Sequence, residues 1–226
     1  MDRHFDVELA DLKKEILTMG VLVEEAICKS VEALKNVSRQ QAEQVIFGDR
    51  AIDELELKID EECLDLLALR QPMAIDLRFI VMAMKITGEL ERIADLAVDI
   101  AQRVLDLIGQ PLLKPLIDIP KLTKLAQQMT KDAIDAFVDR EPDLAGKVIL
   151  IDKEADRLRD SVQSELINDY ILKDKTTVPR AIPLILVARH LERICDHATN
   201  IAEDVIYMIK AKVVKHHPEK INNGKK

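Results

Sequence analysis

The residues with the most obvious chemical capacity are paired carboxylates. Asp49 and Asp53 stand four apart, as do Glu91 and Asp95, and the arrangement recurs as Asp152 with Asp156 and Glu192 with Asp196. On a helix this spacing is one turn, so each pair shares a face, with Cβ atoms about 6 Å apart. Like charges so placed destabilise a helix by a few tenths of a kcal/mol, and both halves carry that cost. Where two such ridges meet across a groove, four carboxylates need a cation, and Arg92 and Arg193 are the arginines at hand. The donors are all oxygen. His190 lies on a different face from Glu192, His197 has Leu96 as its counterpart, and the Glu-x-x-His of di-iron bundles is absent. An oxygen donor set suits Mg, Ca or Mn, or iron with solvent ligands, better than structural zinc. A merely solvated acidic face, with no metal, is the alternative.

Other chemistry is harder to find. There is no Gly-rich phosphate loop, no nucleophile elbow, and no His or Cys set beside a base. The expectation is therefore a protein that is not an enzyme, with hydrolysis by metal-bound water as the competing reading. A net charge of −8 and 3% aromatic residues argue against nucleic acid, which calls for a basic groove and stacking rings. Cys28, Cys63 and Cys195 are isolated in apolar helical contexts and read as buried reduced thiols. The acidic N-terminus lacks the apolar stretch of a signal peptide. The longest apolar run, Ile182 to Ala188, is too short to span a membrane. These features predict a soluble cytoplasmic protein.

The elements that must position the acids are long helices. Hydrophobic residues make up 48% of the 226 and charged residues 33%, a balance suited to amphipathic helices around an aliphatic core. Breaks are expected where Pro and Gly fall. Helix 1 runs from about Asp6 to Asn36, and helix 2 from Ser38, with Gln41 at capping-box spacing, to about Leu69. Helix 3 covers roughly Ile75 to Ile108. A Pro-rich linker follows, then helices at about Lys121–Arg140, onward to Leu172, and Pro179–Lys215. Gly20 and Gly48 are expected to lie inside continuous helices, and Pro183 in a first turn, where proline is tolerated. The matched acids and the shared Leu-Glu-Arg-Ile-x-Asp of residues 90–95 and 191–196 mark a duplicated three-helix unit. The fold class is all-α, two tandem three-helix bundles: residues 1–110, a linker at 111–120, a second unit at 121–215 and a basic tail at 216–226.

In helix 3 the series Ile86, Leu90, Ile93, Ala97, Ile100, Val104 and Leu107 makes a heptad seam. In helix 6 it is Val187, Leu191, Ile194, Ala198, Ile201, Val205 and Met208. This register sets the acids on the outer side of the bundle. Ile52, Leu55 and Ile59, with Ala155, Leu158 and Val162, place the other pairs likewise. The same register sets Glu62 and Glu165 at apolar positions, where they either snorkel or contact the first helix of their unit.

These residues resemble the PhoU family of phosphate-signalling regulators over nearly the whole chain. The resemblance is carried by the duplicated unit, the Asp/Glu-x-x-x-Asp pairs and above all the stretch Arg189 to Glu203. It implies a cytoplasmic negative regulator of phosphate uptake and of the phosphate-starvation two-component response. Such a protein acts as an adaptor between a phosphate ABC transporter ATPase and a sensor histidine kinase. It also implies iron or zinc on Asp49, Asp53, Glu91 and Asp95, and on Asp152, Asp156, Glu192 and Asp196. Homodimers, and membrane association through partners, are expected on the same ground.

Overall fold

The computed structural model describes residues 3–211. The basic tail expected at residues 216–226, and the expected continuation of the final helix to Lys215, lie outside the described residues. Seven α-helices occupy most of the described chain: α1 (Arg3–Asn36), α2 (Arg39–Gly48), α3 (Arg50–Arg70), α4 (Ala74–Asp106), α5 (Asp118–Val138), α6 (Pro142–Glu165) and α7 (Val178–Lys210). One π-helical turn, Leu166–Ile171, prolongs α6, and a short 3-10 turn, Lys175–Thr177, leads into α7. No strand occurs among the described residues.

Helix 2 of the sequence reading is thus two helices. The carbonyl-to-amide ladder slips at Asp49, directly after Gly48, although Asp49 keeps helical angles (φ −57°, ψ −37°). At Gly20 the helix continues as expected. Pro183 lies beyond the first turn, because α7 already starts at Val178; its missing N–H leaves the Pro179 carbonyl without its helical donor. The irregular connection between α4 and α5 spans residues 107–117, and Pro120 falls in the first turn of α5.

The two halves repeat even in their turns. Val37 (φ 46°) ends α1, and the Ser38 N–H donates to the Ala33 carbonyl at 3.0 Å. Arg140 (φ 58°) ends α5, and the Glu141 N–H donates to the Ala136 carbonyl at 2.8 Å. Both turns are six-to-one helix closures. Ser38 also caps α2 by accepting from the Gln41 N–H. The Gln41 side chain, however, accepts from Asn36 instead of returning to Ser38, so only half of the capping box forms.

Each seam residue of α4 and α7 predicted from the heptads is buried. In α1 the buried stripe is Leu9, Leu12, Ile16, Met19, Val23, Ile27, Val31 and Leu34, again in steps of three and four. The seams of α3 and α6 depart from expectation at two points each: Leu55 and Leu158 are only half-buried, and the step after Ile59 and Val162 changes. After Ile59 the next buried residue is Cys63, and after Val162 it is Leu166. The step is four, not three, so Glu62 and Glu165 sit beside the seam, half-buried. Glu62 pairs with Lys58, which also reaches Glu15 of α1, and Glu165 pairs with Lys114 of the connection.

Helices α1 to α4 pack on one another, as do α5 to α7, and the halves meet through α4 on α7 and α1 on α5. The rings of Phe79 and Phe137 stack across that junction, 4.7 Å apart and nearly parallel. At Gly20 a Cβ would stand 2.6 Å from Ile134 Cδ1, so α1 and α5 approach closely there. Helices α4 and α7 run antiparallel. Lys85 pairs with Asp204, Asn200 donates to Glu89, and His190 faces Asp99. Those pairings centre on Ala94 and Cys195, which occupy equivalent places in the repeat. The crossing is therefore a local pseudo-dyad, on which Glu89 and His190 are counterparts, as are Asp99 and Asn200.

Candidate metal grooves

The first groove lies between α3 and α4. Asp49, at the slip between α2 and α3, starts an acidic ridge that continues through Asp53, Glu56 and Asp60; Glu91 and Asp95 face it from α4. The two walls are close: a Cβ on Gly88 of α4 would stand 3.8 Å from Glu56 Oε1. Burial, with the charges of Asp53 and Asp95 beside it, pushes the Asp49 carboxyl up to about 6. Glu56 is raised by burial and by Asp60 and Asp53. Glu91 is raised by burial and by Asp95. The ridges thus converge as the sequence predicts, in a half-buried groove. Arg92 answers them weakly from an exposed position, 3.5 Å from Glu91 and 3.4 Å from Asp95.

The second groove, between α6 and α7, repeats the acids with different company. Asp152 and Asp156 lie on α6, Glu192 and Asp196 on α7, and Thr199 donates to Asp152 at 3.4 Å. Arg159 reaches across: its guanidinium pairs with Glu192 of α7, with Asp156 at 3.1 Å and with Asp160 at 2.9 Å. Burial and the neighbouring acids raise Asp152, Glu192 and Asp196, with Arg159 opposing the rise in each.

The four-residue spacing of acids does not mark Arg159 or Glu56. The available signal was their equivalence in the repeat: each stands three residues after the second Asp of its ridge. Of the two arginines that follow the α4 and α7 glutamates, Arg92 pairs with the acids as expected, whereas Arg193 is exposed and Arg159 takes its place.

The imidazoles serve the crossing of the halves. His197 Nδ1 is 2.7 Å from Glu89, and His190 Nδ1 is 3.7 Å from Asp99. Burial lowers the pKa of His190. The thiols are unpaired. Cys63 and Cys195 are buried, but Cys28, expected to be buried, is only half so.

The donor set of both grooves is carboxylate oxygen with mutual repulsion held in place, which fits a hard cation. What the grooves lack is a finished coordination sphere: among the described residues no three Asp, Glu, His or Cys side chains already gather to hold an ion. No helix among those residues is long and apolar enough to cross a membrane.

Comparison with known proteins places this architecture. The Phosphate-specific transport system accessory protein PhoU homolog of Aquifex aeolicus is 42% identical over 92% of this chain and 94% of its own length. The Escherichia coli protein named Phosphate-specific transport system accessory protein PhoU is 32% identical, over 94% of this chain and 88% of its own. The crystal structure of PhoU from Pseudomonas aeruginosa superposes with a TM-score of 0.86 at 38% identity, covering 92% of this chain and all of that one. That of the phosphate transport system regulatory protein PhoU from Streptococcus pneumoniae gives 0.85 at 31% identity, covering 93% and 99%. The PhoU domain pattern matches residues 16–104 and again 119–205, and the chain belongs to the PhoU family.

Proposed function

We propose that this chain is a cytoplasmic negative regulator of phosphate uptake and of the phosphate-starvation two-component response. It works as an adaptor between the ATPase subunit of a phosphate ABC transporter and a sensor histidine kinase. The observation that carries this reading is the near full-length match to relatives named as accessory proteins of phosphate-specific transport. Long exposed helical faces offer docking area of the kind an adaptor needs. The direct test is co-purification of the intact chain with the transporter ATPase and with the kinase from the same source; failure to bind either one refutes the adaptor role.

In the same reading, each groove takes a divalent cation. Asp49, Asp53, Glu91 and Asp95 would hold one or more ions, and Asp152, Asp156, Glu192 and Asp196 the others, with iron or zinc proposed from the family and Mn, Mg or Ca from the donor chemistry. A bound cation supplies the positive charge that the raised carboxyls of the first groove call for. The chain's own part is to bring the two ridges together and to bury them halfway, so that the ion replaces repulsion with attraction. Elemental analysis of the purified protein, repeated on the Asp95→Ala, Asp196→Ala double variant, tests this: unchanged metal content removes the assignment. Sedimentation of the metal-loaded protein tests the proposed homodimer.

A further inference from the structure

The two grooves are equivalent in the repeat and unequal in charge. In the first, six carboxylates (Asp49, Asp53, Glu56, Asp60, Glu91 and Asp95) face one exposed arginine, Arg92. In the second, Arg159 replaces the counterpart of Glu56, and Gln163 replaces that of Asp60. Both exchanges run the same way, away from negative charge. Arg159 also spans the groove, tying Asp156 and Asp160 of α6 to Glu192 of α7. Its side chain is 26% exposed and that of Glu192 12%, so the guanidinium sits among the acids and not above them.

We propose that Arg159 is the built-in cation of the second groove. A divalent metal ion therefore fills the first groove at lower concentration, and enters the second only by displacing the guanidinium from Glu192 and Asp156. The inference rests on the reading of the grooves as metal sites. Guanidinium and metal compete for the same oxygens, because a planar fork satisfied by carboxylates leaves them few lone pairs for a second cation. Asp160 supplies the displaced arginine with a partner on its own helix, 2.9 Å away at present. The metal affinity of the second groove is thus set by one residue that the first groove does not possess. A single positive charge within several ångströms of an ion, at a half-buried site, weakens binding by about ten- to hundredfold.

The test is a Mn²⁺ titration of the full chain after removal of bound metal with chelator. Bound ions are counted from the loss of the free-ion EPR signal, and folding of each variant is checked by circular dichroism. In the unaltered chain the tight class is expected to vanish in Asp49→Asn with Asp53→Asn, and to survive Asp152→Asn with Asp156→Asn. Arg159→Gln should add a second tight class, at least about tenfold stronger than before, and Asp152→Asn with Asp156→Asn should remove it. Glu56→Arg should push the first groove down to the level of the second. If the unaltered chain loads both grooves with equal affinity, or Arg159→Gln leaves the titration unchanged while Mn²⁺ still binds at Asp49 and Asp53, the inference is overturned and the metal reading stands. Absence of Mn²⁺ binding in every folded variant, Arg159→Gln included, overturns both.

Discussion

Asp49→Asn should make the metal-free protein more stable at neutral pH. Asp49 is half-buried beside Asp53 and Asp95, and its carboxyl is pushed up to about 6 from an ordinary aspartate value near 3.8. A carboxyl raised in the folded state holds its proton more tightly there than when unfolded. Stability is therefore lost as pH rises from about 4 to about 6, and stays lost above that. The full shift corresponds to about 3 kcal/mol; the open side of the groove admits solvent, which reduces this to about 1–2 kcal/mol. The substitution forfeits little else, because the Asp49 side chain makes no capping hydrogen bond to α3. Loss of a negative charge near a helix start costs about 0.5 kcal/mol. The net gain is about 1 kcal/mol at pH 7.5, or about 2–4 °C in Tm for a chain of this size. Urea unfolding of both proteins in chelator, at pH 4.5 and 7.5, reads it directly. The gain should be present at pH 7.5 and largely gone at pH 4.5, where Asp49 is already protonated. A variant no more stable at pH 7.5, or a gain equal at both pH values, would refute the account of the groove as stored repulsion.

Three other measurements probe the frame around the grooves. Lys85→Ala leaves Asp204, 7% exposed, without its cation at the α4–α7 crossing; it should cost about 3 kcal/mol, and Lys85→Met with Asp204→Leu should recover more than half of that in urea unfolding. Gly20→Ala drives a Cβ onto Ile134 Cδ1, so despite a better helix former it should lose about 1–2 kcal/mol, whereas adding Ile134→Val, which deletes that atom, should bring Tm back to the original value. Of the three thiols, only half-buried Cys28 should react with an aromatic disulfide reagent in the native protein. Burial pushes the Cys63 thiol up to about 12 and raises Cys195 as well, so both should wait for denaturant.

The sequence carries the helices and their inner faces well, because a three-four alternation of aliphatic residues is a local property. The seams of α4 and α7 are buried at every position the heptads name. The same rule fails at Glu62 and Glu165, where α3 and α6 advance by four to Cys63 and Leu166. A helix packed on two neighbours at once can keep either step, and only the neighbours decide. The acidic ridges were legible from their spacing, and so was their meeting across adjacent antiparallel helices. Arg159 was not, since its role depends on the axial stagger of α6 against α7, which places Glu192 within its reach. The partnering of His197 with Glu89 depends on how the halves dock, and no spacing within one helix reveals that.

The crossing of α4 on α7 has a consequence for how the two halves can be exchanged. Around its pseudo-dyad, Glu89 meets Asn200 and His190 meets Asp99. A chain built from two first halves would set glutamate against aspartate at both places, four acids on one half-buried seam. A chain built from two second halves would set histidine against asparagine twice, with no ion pair at all. Each half has therefore become a lock cut for the other, and neither is a spare for its twin. Recombination that replaced one repeat with a copy of the other would be penalised at this seam. Divergence there keeps one of each half in the chain and leaves the two grooves free to drift apart in charge.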